Sequence, residues 1–138
     1  MPAQIPKLIS FNAWSRLYGA VSSDRNRLIL SLLYGTGCRV GELVTSRVED
    51  VDLSEMVLHL QADRTKTRRY RSVVVPAEII PQLQSWMKRL PEDQNWLFPG
   101  QKRDQHITAR RVRQIVNKAA EKANIQRVYA HDKNGRPL

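Results

Sequence analysis

The chain has 138 residues, enough for one domain with a real core and too few for a second domain of ordinary size. Lysine plus arginine number 23 against 13 aspartates plus glutamates, and the net charge of +10 points to a polyanionic partner, nucleic acid before any other. A single cysteine, Cys38, excludes an internal disulfide and a cysteine zinc cluster, and the longest strongly apolar stretch, 28–34, is far short of the ~20 residues of a membrane span.

Residues 1–9 hold two prolines and no clear period, so they read as a leader or the end of a linker, which leaves 10–138 as the domain. Ser10 is placed to cap a first helix, with Phe11, Trp14, Leu17, Tyr18 and Val21 on one apolar face. Asp24 is the expected N-cap of a second helix, with Leu28, Ile29, Leu32 and Leu33 turned inward and Gly35 as the stop. A third, short helix puts Val40, Leu43 and Val44 against the core.

The period then changes to that of strands. Residues 56–61 and 70–75 are rich in β-formers and flank the polar-basic segment 62–69, which predicts a β-hairpin with a long loop, preceded by a short strand around 48–53. Pro76 ends the second strand of the hairpin. Ile79, Ile80, Leu83, Trp86, Met87 and Leu90 mark a helix closed by Pro91, with Pro81 tolerable in its first turn. Residues 96–100 form a short buried connector, and Thr108 caps a last helix with Val112, Ile115, Val116, Ala119 and Ala123 inward. The fold class expected is α+β, mainly helical with a small three-stranded antiparallel sheet.

Three basic features compete with plainer explanations. In Tyr34-Gly35-Thr36-Gly37-Cys38-Arg39-Val40-Gly41-Glu42-Leu43, a glycine turn delivers Arg39 to a helix start, an arrangement suited to phosphate. Glu42, three residues on, is placed to hold that guanidinium or brace the turn; a helix entry stapled by a surface ion pair explains the same spelling. The segment Arg64-Thr65-Lys66-Thr67-Arg68-Arg69-Tyr70-Arg71 is either a nucleic-acid-binding hairpin or an edge hairpin protected by charge. Arg110, Arg111, Arg113 and Lys118 lie off the apolar stripe of the last helix and suit its solvated face. His59, His106 and His131 stand alone without metal-ligand spacing, so no metal is expected.

The run 36–43 resembles the first signature box of the tyrosine recombinases, the phage-integrase family, and residues 65–71 resemble that family's lysine hairpin. The order of the two features and the surrounding elements extends the resemblance from Ser10 to Asn124. It implies attack by a tyrosine on a DNA phosphodiester through a 3′-phosphotyrosyl link, with no metal or nucleotide cofactor. Arg39 would neutralise the phosphate, Lys66 would protonate the departing 5′-oxygen, and Arg64 and Arg68 are the runners-up for the lysine's place. Arg64, Arg68, Arg69, Arg71, Arg110, Arg111 and Arg113 become DNA-binding positions. Double-stranded DNA and other recombinase protomers in the full-length protein are the partners the resemblance implies; the single cysteine and the lack of a long apolar stretch or signal pattern lead to the expectation of a cytoplasmic, nucleoid-associated setting with no membrane.

The sequence departs from the family pattern downstream of the last helix, where a His-x-x-Arg box and then the nucleophilic tyrosine belong. His131 and Arg136 are five positions apart and divided by Asn134-Gly135, and Tyr18, Tyr34, Tyr70 and Tyr129 all precede the nucleophile's place. The expectation is therefore the front part of an integrase catalytic domain, with no nucleophile in this chain and no activity alone. The alternatives are a non-catalytic DNA-binding protein or regulator on the same scaffold, and a basic helical module such as an RNA-binding subunit.

Overall fold

The computed structural model describes residues 10–61, 70–102 and 104–125. Among these residues five α-helices and three strands follow in the order α1 (Phe11–Gly19), α2 (Asp24–Thr36), α3 (Val40–Val44), β1 (Val51–Asp52), β2 (Val57–Gln61), β3 (Tyr70–Val74), α4 (Ile80–Arg89) and α5 (Ala109–Lys122). Hydroxyl caps begin three of the helices. Ser10 Oγ accepts the Ala13 N–H, Ser23 Oγ the Asn26 N–H, and Thr108 Oγ1 the Arg111 N–H, at 3.0–3.2 Å. The cap of α2 is thus Ser23, whose backbone is extended, and Asp24 is the first helical residue instead of the expected cap. The helix also runs past Gly35. It ends at Gly37, whose φ of +70° is the left-handed turn that favours glycine, with its N–H returning to the Leu33 carbonyl.

Helix α2 is the axis of the core. Its buried run 28–33 includes Leu30 and Ser31 as well as the four positions expected inward, because α1, α3, α4 and α5 all pack against it. Leu17, Leu43, Leu58, Leu60, Leu83, Leu97, Phe98, Val112 and Val116 complete the interior. Phe11 is a departure from the apolar face read for α1. It is the first residue of the helix and is 77% exposed.

The sheet is antiparallel in the order β1–β2–β3, with Leu58 opposite Val51 and Val73, and Leu60 opposite Arg71. Strand β1 is shorter than expected. Asp50 accepts the Arg47 N–H at 2.9 Å and winds 48–50 into a 3₁₀ turn, so only Val51 and Asp52 pair. Met56 belongs to the turn before β2, at φ 55°. Leu58 and Leu60 face α3 and the core, while His59 meets Ser72 on the outer face at 2.8 Å. Val74, on the same outer face, is 69% exposed.

The connector before α5 folds back on itself through Gly100 N–H to the Gln105 carbonyl at 2.6 Å. A Cβ at Gly100 would lie 2.8 Å from the His106 carbonyl oxygen, so glycine permits this close approach. Leu97 and Phe98 are buried as expected, whereas Trp96 is half-buried under the Arg47 guanidinium and donates its indole N–H to the Asp104 carbonyl. Among the described residues, no helix is long and apolar enough to cross a membrane and no group of three or more His, Cys, Asp or Glu could hold a metal ion.

Candidate nucleic-acid interface

The turn after α2 is built from its own hydrogen bonds. Thr36 Oγ1 donates to the Leu32 carbonyl at 2.6 Å and accepts the Cys38 N–H at 3.2 Å, closing the chain around Gly37. Cys38 then points into the core, where burial pushes its thiol up to about 11 and keeps it neutral. Arg39 follows with an extended backbone as the N-cap of α3 and an exposed side chain. Its carbonyl accepts the Leu43 N–H, and its own N–H donates to Glu42 Oε1 at 2.9 Å. Among the described residues its guanidinium makes neither a hydrogen bond nor an ion pair.

Glu42 therefore braces the turn through the backbone, and the guanidinium it holds belongs to Arg71. Arg71 Nε donates to Oε2 at 2.9 Å and Nη2 to Oε1 at 2.8 Å, a fork-to-fork pair that joins α3 to β3 across 29 residues of sequence. Burial would raise the Glu42 carboxyl, but the bonds from Arg71 and the Arg39 N–H outweigh it and hold its pKa below the ordinary value. The Arg71 guanidinium is correspondingly raised by its bond to Glu42, against a smaller opposing effect of burial. Helix α3 has only five residues, so the dipole expected to help Arg39 is small beside the guanidinium's own charge.

A second basic region lies at the start of α5. Arg25, Arg110 and Arg111 line a cleft of about 500 Å³ together with Gln105, His106 and Gln114. Burial and the neighbouring Arg111 charge lower the Arg25 pKa, and among the described residues none of the three arginines is ion-paired. Each stands in the first turn of its helix, where the dipole disfavours a cation, and α5 has no acid in that turn. Arg113 is half-buried and does not line the cleft. Arg25 escaped the sequence reading because only the packing of α2 on α5 brings it to Arg111. The available signal was an arginine in a helical first turn, where an acid is favoured.

Arg64, Lys66, Arg68 and Arg69 lie outside the described residues. They belong to segment 62–69, which joins Gln61 and Tyr70, the last residue pair of the β2–β3 ladder.

A mainly helical unit with a three-stranded antiparallel sheet is the catalytic-domain scaffold of the tyrosine recombinases. The chain belongs to the phage integrase family, whose pattern it matches over residues 3–133. It is similar to the tyrosine recombinase XerA of Pyrococcus furiosus, at 27% identity over 130 residues, covering 91% of this chain and 45% of that protein. Tyrosine recombinase XerC of Corynebacterium glutamicum is 34% identical over 112 residues, covering 78% of this chain and 34% of its own. The crystal structure of a XerA recombinase superposes with a TM-score of 0.76 at 28% identity, covering 91% of this chain and 45% of that one. The XerH site-specific recombinase bound to its difH substrate shares the fold, with a TM-score of 0.70 at 22% identity, 96% of this chain and 40% of that one being covered. The chain thus spans less than half the length of the relatives it matches.

Proposed function

We propose that this chain is the front part of the catalytic domain of a site-specific DNA recombinase. The observation that carries the reading is the Arg39 turn: the guanidinium is exposed and unpaired among the described residues, although a carboxylate sits three residues away. A planar fork on a braced turn fits two oxygens of one phosphodiester and neutralises charge as the phosphorus is attacked. Lys66, on the segment between β2 and β3, is the general acid that protonates the departing 5′-oxygen. The attacking tyrosine and the second arginine box come from residues of the parent protein that this chain does not supply. This chain by itself is therefore inactive in strand cleavage.

Arg110 and Arg111, with Arg25 beside them, provide a second, longer-range attraction for duplex DNA. The cations of segment 62–69 add to it, and Arg113 contributes charge without lining the cleft. Recombination exchanges strands between sites, so other protomers of the parent are the protein partners.

The test uses the completed parent protein on a nicked suicide substrate. Arg39→Ala is expected to abolish the covalent protein–DNA adduct while leaving most duplex affinity, because binding is spread over many cations and chemistry over few. Arg39→Lys is expected to fail in the same way, since an ammonium lacks the fork. Adduct formation by the alanine variant at near wild-type rate would remove Arg39 from the chemistry.

A further inference from the structure

Glu42 is a hazard at the site just described. Its carboxylate lies three residues from Arg39 on the same turn, near enough for the two charges to act on one another. A carboxylate and a guanidinium at that spacing are natural bidentate partners, and the pair would compete directly with a phosphodiester for Arg39. Yet both carboxylate oxygens are turned to Arg71, and one of them also accepts the Arg39 N–H.

The exposures of the pair show which partner depends on the other. The Glu42 side chain is 13% exposed and that of Arg71 46% exposed, so the acid is the inner member and Arg71 reaches it from outside. A nearly buried carboxylate left without its partner takes the nearest cation available. Cys38, the other titratable neighbour, is neutral and offers no charge. Among the described residues, Arg39 is the other cation whose charge acts on Glu42.

We propose that Arg71 is a positioning residue and not a DNA contact. By saturating Glu42 it keeps the Arg39 fork free for a phosphodiester, and from β3 it ties the root of the 62–69 segment to the arginine turn. The inference rests on the reading of Arg39 as the phosphate ligand, and the experiment separates the two. In the isotopically labelled 138-residue chain, the Arg39 Nε–Hε resonance is followed by NMR during titration with a short DNA duplex at fixed salt.

In the unaltered chain the resonance is expected to shift on addition of DNA. In Arg71→Gln it is expected to move, before any DNA is added, to the position of an ion-paired guanidinium. The further shift at saturating DNA is expected to fall about tenfold, because the Glu42 pair competes with the phosphodiester for the guanidinium by about the free energy of one charge-assisted hydrogen bond. Adding Glu42→Gln to that variant restores the original behaviour, because the amide oxygen still accepts the Arg39 N–H and carries no charge to capture the guanidinium. Amide spectra away from the turn report that each variant is folded. An Arg39 signal indifferent to Arg71→Gln overturns the proposal, as does a double variant no better than the single one, which would make the bridge a mere staple. A resonance that ignores DNA in the unaltered chain instead overturns the phosphate reading of Arg39 itself.

Discussion

Arg71 and Arg111 are both arginines in basic stretches of sequence, and the fold gives them opposite situations. Arg71 meets a carboxylate through both arms of its fork and helps to join α3 to the sheet. Arg111 stands beside Arg25 at a helix start, with like charge for a neighbour and no acid among the described residues to answer it. The first arrangement is satisfied within the molecule. The second is electrostatically incomplete, a difference that a count of basic residues does not reveal and that supports the proposal of Arg110 and Arg111 as contacts for an anion.

The sharpest way to break this comparison is to remove the acid that satisfies Arg71. Glu42→Ala deprives the Arg39 N–H of its acceptor and leaves the Arg71 fork unpaired, and is expected to cost roughly 2–3 kcal/mol in urea unfolding. Arg110→Ala should fall within about 0.5 kcal/mol of the parent chain, as for other surface positions. The Glu42 contribution also depends on pH in a defined sense. A carboxyl held below its ordinary value of 4.5 stabilises the fold above that pH, and the contribution is lost as pH falls through the lowered folded value. Glu42→Gln should therefore show a shallower acid loss of stability than the parent, and an identical slope would separate the pKa from the pairing.

Duplex affinity sharpens the comparison from the other side. Replacing either Arg110 or Arg111 by alanine is expected to reduce the slope of log affinity against log salt by about 0.9, the release of one counterion. Replacing Arg71 together with its acid, as in Arg71→Gln with Glu42→Gln, should leave that slope unchanged, because Arg39 then stays free for its phosphate. Equal slopes for all three variants would erase the distinction between paired and unpaired arginines. The smallest effect concerns Arg25, whose replacement by glutamine removes a repulsion with Arg111 and an unfavourable helix-dipole contact. A gain of about 0.3–1 kcal/mol in thermal or urea stability at low salt, fading as salt is added, is the expected result.

Much of the fold is legible in the sequence because hydrophobic period and caps act locally. Thr108 and the stripe from Val112 to Ala119 identify α5, and the two β-rich segments on either side of 62–69 identify the hairpin. The errors fall where a local signal meets a tertiary or competing one. Ser23 outcompetes Asp24 as cap, Gly37 replaces Gly35 as stop because the left-handed turn falls two residues later, and Asp50 coils the start of what read as a strand. Phe11 looks apolar by period and is largely exposed among the described residues.

The candidate site divides in the same way. Arg39 and Glu42 are neighbours in sequence, and their relation through the turn is a local one. That Glu42 belongs to Arg71, and that Arg25 stands by Arg111, depends on which helices and strands meet, and no spacing rule reports it.

The Arg16 guanidinium reaches the carbonyls of Ala123 and Asn124 at 2.6 and 3.0 Å, fastening the end of α5 to α1 across more than a hundred residues. Closing a loop of that length carries its full entropic cost before this contact can repay any of it, so the seam is among the last features to form as the chain folds. By the same reasoning it is among the first to open. Each opening frees the last turn of α5, while the buried Val112 and Val116 keep its first turn, and with it Arg110 and Arg111, beside Arg25.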